Sequence, residues 1–142
     1  DQIVQVHLMM GEFDLAKASA DQAIKIRKNL NESGAVIAQG LHNRAKVDSF
    51  ANNYVLAKQY AEEALELRRK VNDLPVSIMY SLNLNANIAM AEGRFDDADE
   101  YYQEAIAIST QELGEKHGET AMLKENLGNV RYRQKRYQET LK

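Results

Sequence analysis

His7, His42 and His117 are the three imidazoles of this 142-residue chain, and Asp96, Asp97, Asp99 and Glu100 form a dense group of carboxylates. A zinc site needs ligands at a spacing such as HExxH, and a calcium site needs a loop that wraps oxygens around the cation. Neither pattern is present. The histidines lie far apart in sequence and read as surface or packing side chains. The four acids fall in the first turn of a helix, where the macrodipole favours negative charge, and read as a solvated helix start. No cysteine is present, which removes disulfides, thiolate nucleophiles and cysteine zinc sites. The glycines form no phosphate-cradling loop, and no Ser/His/Asp arrangement is legible. The sequence therefore predicts no active site in this segment, no metal and no cofactor. Its function is expected to lie in binding.

The elements that would present a binding surface are spelled by a repeat. GRFDDADEYYQEAIAI runs from Gly93 to Ile108, GEFDLAKASADQAIKI from Gly11 to Ile26, NNYVLAKQYAEEALEL from Asn52 to Leu67, and KRYQETL begins a fourth copy at Lys135. The aromatics Phe13, Tyr54, Phe95 and Tyr137 are spaced by 41, 41 and 42 residues. A fixed period of this size is the signature of a stacked array of supersecondary units.

Apolar residues at helical spacing place a helix end over 1–10, with Ile3, Val6 and Met10 on one face, and further helices over about 13–30, 35–50, 54–71, 76–92, 95–112 and 119–134. Another helix is expected to start at Tyr137. Ser33 is a candidate N-cap, and Pro75 stands where a helix start tolerates its missing N–H. Small residues recur where paired helices approach closely: Ala45, Ala86 and Gly128 on first helices, Ala57, Ala98 and Thr140 on second ones. Val47, Ile88 and Val130, with Ile24, Leu65 and Ile106, fill the flanks. No strand signal appears. Four blocks follow: a partial repeat 1–30, repeats 35–71 and 76–112, and a partial repeat 119–142.

Composition excludes several classes. With 44% hydrophobic and 27% charged residues the chain is a globular one and not a disordered one. Net charge is −3, without the basic surplus of a nucleic-acid or anionic-membrane binder. No apolar run is long enough to span a bilayer and no signal peptide is visible. The absence of cysteine fits a reducing compartment, and a cytoplasmic location is expected.

Ala86, Gly93, Phe95, Ala98, Tyr102 and Ala105, recurring at constant offsets, resemble the helix–turn–helix signature of the tetratricopeptide repeat. The resemblance covers essentially the whole chain. It implies an all-α, right-handed superhelical solenoid of antiparallel helix pairs, with about three and a half repeats of 41–42 residues. The period exceeds the usual ~34 residues by about two helix turns. Long repeats of this kind resemble the kinesin-light-chain-like subclass, as does QELGEKHGETAMLKENLGNVRYRQKRY from Gln111. That stretch departs from the subclass at Gly118, where Pro is usual, and at Lys135, where Gly is usual.

The resemblance further implies that first helices line a concave groove. The outward positions would be Gln39, His42, Asn43, Lys46 and Ser49, then Tyr80, Asn83, Asn87 and Met90, then Met122, Glu125, Asn126, Asn129, Tyr132 and Arg133. Asparagine is a mediocre helix former, so its abundance here calls for a reason. An amide donates and accepts at once and suits an extended peptide backbone. Lys46 and Arg133 would attract a carboxylate. Some of these amides could instead bond neighbouring helices, and Asn85 cannot share a face with Asn83 and Asn87. The paired Lys/Arg–Asn sets of a carboxylate clamp are not complete. Partial end repeats suggest an excerpt of a longer protein, because terminal repeats normally carry polar caps. The expected partner is a protein or peptide held by a scaffold or adaptor. The alternatives are another domain of the same chain, if this is the regulatory arm of a multidomain bacterial signalling enzyme, or a signalling peptide. Self-association through uncapped ends is a further expectation.

Overall fold

The computed structural model describes residues 12–29 and 33–141, and the expected helix over 1–10 lies outside them. Six helices are formed among the described residues: α1 Phe13–Asn29, α2 Gly34–Phe50, α3 Tyr54–Lys70, α4 Pro75–Ala91, α5 Phe95–Glu112 and α6 Gly118–Thr140. They group into two compact units that divide between Asp73 and Leu74. In the first, α2 packs on α1 and α3; in the second, α5 packs on α4 and α6. The fold is an all-α repeat.

The tight turns follow from backbone chemistry. Asn52 and Gly93 stand at the same place in the repeat and both take left-handed backbone, with φ of 60° and 74°. Each closes a helix by the same pair of bonds: Asn53 N–H to the Asp48 carbonyl (2.8 Å) and Asn52 N–H to that of Ser49, Arg94 N–H to the Ala89 carbonyl (2.8 Å) and Gly93 N–H to that of Met90. Gly and Asn enter this region at low cost; other side chains do not. Lys135 occupies the equivalent position before Tyr137. The expected turn is absent there, and α6 runs on as one 23-residue helix. A separate helix starting at Tyr137 is thus not formed. The Tyr137 ring meets Phe95 edge-on, with centroids 6.2 Å apart.

The small residues do what their size allows. Ala45, Ala57, Ala86 and Ala98 are fully buried, as are Val47, Ile88 and Val130. In the first unit Ala16, Ala20 and Val47 form one cluster, and Ile24, Leu41 and Ala64 another, with Tyr60 packed on it. α1 and α2 approach so closely that a Cβ on Gly40 would lie 2.8 Å from the Ile24 side chain. Gly128 and Thr140 depart from the expected pattern. Nothing lies within 4 Å of a Cβ built at Gly128, and Thr140 is exposed, because the straight α6 makes no hairpin over that face. Ile26 is also largely exposed, not turned inward with Ile24.

Candidate functional site

The candidate groove row maps onto α2 in the first unit and onto α4 and α6 in the second. Lys46 is half-buried on α2; Tyr80 and Asn87 are exposed on α4; Asn129 and Arg133 are exposed on α6, with Asn126 half-buried. Asn43 departs from the row. It is buried, and its Oδ1 accepts a bond from Gln39 Nε2 at 3.1 Å.

The polar network beneath the row in the first unit contains a group that sequence reasoning did not single out. Arg68, near the end of α3, is buried and donates Nη2–H to Gln39 Oε1 at 2.6 Å. Its Nε lies 3.6 Å from Asp73. His42 lies within the electrostatic reach of this guanidinium and of Lys46. Burial first, then Arg68, then Lys46, push its pKa down to about 3, so the ring stays neutral at ordinary pH. The unfolded chain binds the proton near 6.5, the folded chain only near 3. Stability contributed by the neutral ring is therefore present above pH 6.5 and is lost as pH falls through the window below it. His42→Asn, which copies the residue one repeat later, is expected to flatten acid unfolding over that window. A circular-dichroism titration checks this, and an unchanged acid limb would show that His42 does not govern it.

His42 and Asn83 hold the same place in successive repeats. Each leaves a polar atom buried without a hydrogen-bond partner: Nδ1 of His42 and Oδ1 of Asn83. Such an atom carries a desolvation cost that a rotation toward a partner's polar group would relieve. One turn on, Lys46, Asn87 and Asn129 are equivalent. The Tyr102 hydroxyl of α5 donates to Asn87 Oδ1. The phenol is buried and its pKa is raised to about 12, so it remains a donor. Asn87 is therefore partly a structural residue that fastens α4 to α5, with its amide still exposed.

Away from the row, the sequence candidates resolve into structure. His117 is the N-cap of α6: its Nδ1 accepts from Glu119 N–H at 3.1 Å. Behind it Ser109 and Thr120 share a buried hydroxyl contact of 2.6 Å, and Thr120 donates to the Gly114 carbonyl. Asp96, Asp97 and Asp99 are not merely solvated. Asp97 pairs with Arg94 (2.9 Å), Asp99 with Arg131 (3.1 Å), and Gln134 donates to Asp96. The Arg131 hydrogen bond lowers the Asp99 pKa. An open cleft of about 370 Å³ lies between Gly93–Asp97 and Gln134–Gln138. Among the described residues no group of three or more His, Asp or Glu side chains is placed to hold a metal ion. None of their helices is long and apolar enough to cross a membrane.

Comparison with known proteins agrees with this architecture. Residues 77–141 match the family model of the tetratricopeptide repeat. A candidate kinesin light chain of Podosopora anserina, with nearly identical TPR-like repeats, superposes at a TM-score of 0.86 and 17% identity. A variant of it gives 0.85 and 18%. Each alignment covers 97% of this chain and 66% of the other. BtubC (BKLC) from P. vanneervenii superposes at 0.69 with 20% identity, over 89% of this chain and 52% of that one. No curated protein sequence matches the chain. The family match spans 65 of the 142 residues, and the fold is similar to that of kinesin-light-chain TPR-like repeat proteins. It spans about two thirds or less of the length of these solved relatives.

Proposed function

We propose that the chain is a protein-binding module whose first helices hold an extended peptide or partner segment, acting as a scaffold or adaptor. The observation that carries this reading is the pair of buried, partnerless polar atoms at one repeat position, His42 Nδ1 and Asn83 Oδ1. In the first unit Gln39 and Lys46 stand on α2 with His42; in the second Tyr80 and Asn87 stand on α4 with Asn83, and Asn126, Asn129 and Arg133 stand on α6. A peptide backbone supplies both a donor and an acceptor for such groups. Tetratricopeptide repeats generally mediate protein–protein contacts, and kinship of fold with candidate kinesin light chains favours an adaptor over an enzyme's regulatory arm. A cytoplasmic location belongs to the same proposal.

The test is a direct titration of a partner co-purified with the chain. Asn83→Ala and His42→Ala are each expected to weaken binding by about tenfold or more, the loss of one or two hydrogen bonds to a buried group, while helicity is retained. Unchanged affinity in both variants would sink the assignment. Retention of binding only when chain and catalytic domain are covalently joined would move the reading to the regulatory arm.

A further inference from the structure

In each unit an ion pair joins a second helix to the first helix of the next repeat at one fixed place in the repeat. In the first unit Lys17 of α1 lies 3.6 Å from Asp48 of α2. In the second, Asp99 of α5 lies 3.1 Å from Arg131 of α6. Lys17 and Asp99 both stand four residues after the aromatic that marks the repeat, Phe13 or Phe95. Asp48 and Arg131 both stand six residues before the next one, Tyr54 or Tyr137. The two pairs occupy the same place in the repeat with their charges exchanged.

The surroundings reinforce each polarity. Asp48 is fully buried and also accepts from Arg44 Nε at 2.9 Å. Arg44 in turn reaches back to Asp21 of α1 at 2.5 Å. Asp99 accepts from Gln103, which holds the Asp21 position in its own repeat.

Repeat faces share their shape, here small alanines at matching positions, so shape alone does not tell one joint from another. Exchange of equivalent elements between copies is a characteristic failure of repeat chains. Charge does discriminate. An α1 docked on an α6 sets Lys17 against Arg131. An α5 docked on an α2 sets Asp99 against the buried Asp48. Like charges at a close contact penalise the wrong partner. We propose that the polarity of this ion pair specifies which second helix stacks on which first helix, and that the partner it rejects is a second copy of this chain docked out of register.

The 142-residue chain carrying both Asp99→Lys and Arg131→Asp tests this. The double exchange gives both joints the same polarity at this pair, so each pair is satisfied but no longer tells one joint from the other. Its thermal midpoint is expected within a few degrees of the original chain and above both single variants, as for a partly exposed pair. On refolding from denaturant at high concentration it is expected to give severalfold more exchanged oligomer by light scattering than the original chain. An oligomer yield equal to that of the original chain would overturn the proposal. So would a double variant as unstable as the sum of the singles, or a yield that simply follows stability and peaks in the single variants.

Discussion

Replacing Asp48 by alanine is expected to lower the unfolding free energy by about 3 kcal/mol, the lower end of the range for breaking a buried ion pair. Asp48 is fully buried and is held by Arg44 at 2.9 Å and Lys17 at 3.6 Å. Its removal leaves a buried guanidinium with Asp21, an exposed carboxylate, as its remaining counter-charge. The Tyr60 ring, 5.2 Å from that guanidinium, shields it further from water. That retained bond to Asp21 is why the lower end applies.

The array itself supplies the repair. One repeat later the equivalent residues are Asn85 and Ala89. Both are buried, and Asn85 Nδ2 donates to the Ser81 carbonyl at 2.8 Å. Arg44→Asn with Asp48→Ala copies that solution into α2 and is expected to recover all but about 1 kcal/mol, since a buried pair replaced as a pair is often nearly neutral. Urea unfolding of the two variants decides it. A loss below about 0.5 kcal/mol for Asp48→Ala would mean that the pair behaves as a surface one.

Asn87→Ala is expected to cost about 1–3 kcal/mol, because it strands the buried Tyr102 hydroxyl. Tyr102→Phe removes the donor itself and is expected to cost less, about 0.5–1.5 kcal/mol. The double variant should be no less stable than Asn87→Ala alone, the non-additivity of residues in contact. Additive losses by thermal denaturation would show that the hydroxyl finds another acceptor. The comparison also separates two roles of Asn87. A binding defect in Asn87→Ala that Tyr102→Phe does not share belongs to the exposed amide and not to the α4–α5 fastening.

Much of the fold was legible because its causes are local or periodic. The spacing of Phe13, Tyr54, Phe95 and Tyr137 fixed the repeat, and the alanines at constant offsets marked where helices close on one another. Asn52 and Gly93 marked turns because few other residues accept positive φ. The same rule, applied to Lys135, accounts for the turn that is missing. The amides of α2, α4 and α6 were legible as residues, but the burial of Asn43 and its bond to Gln39 were not.

The buried charges were harder to read. Arg44, Asp48 and Arg68 look in sequence like ordinary polar helix residues. One signal was available: Arg44 and Asp48 are opposite charges four apart, flanking Ala45 and Val47 on the stripe that should face the core. Arg68 gave no such signal, since three cations in the last turn of α3 already have a reason in the helix dipole.

The sequence by itself determined the repeat, the helix pairs, most of the turns and the absence of catalytic or metal-binding motifs, because period, propensity and backbone φ are properties of neighbouring residues. Only the tertiary structure decided which side chains of those helices are buried with their charges paired and which stay on the surface. It showed Asn87 fastened to Tyr102, His42 held neutral beside Arg68, and the pairs Lys17–Asp48 and Asp99–Arg131 in one place with exchanged signs. Those outcomes depend on desolvation and on contacts between helices far apart in the chain, and neither is written in local spacing.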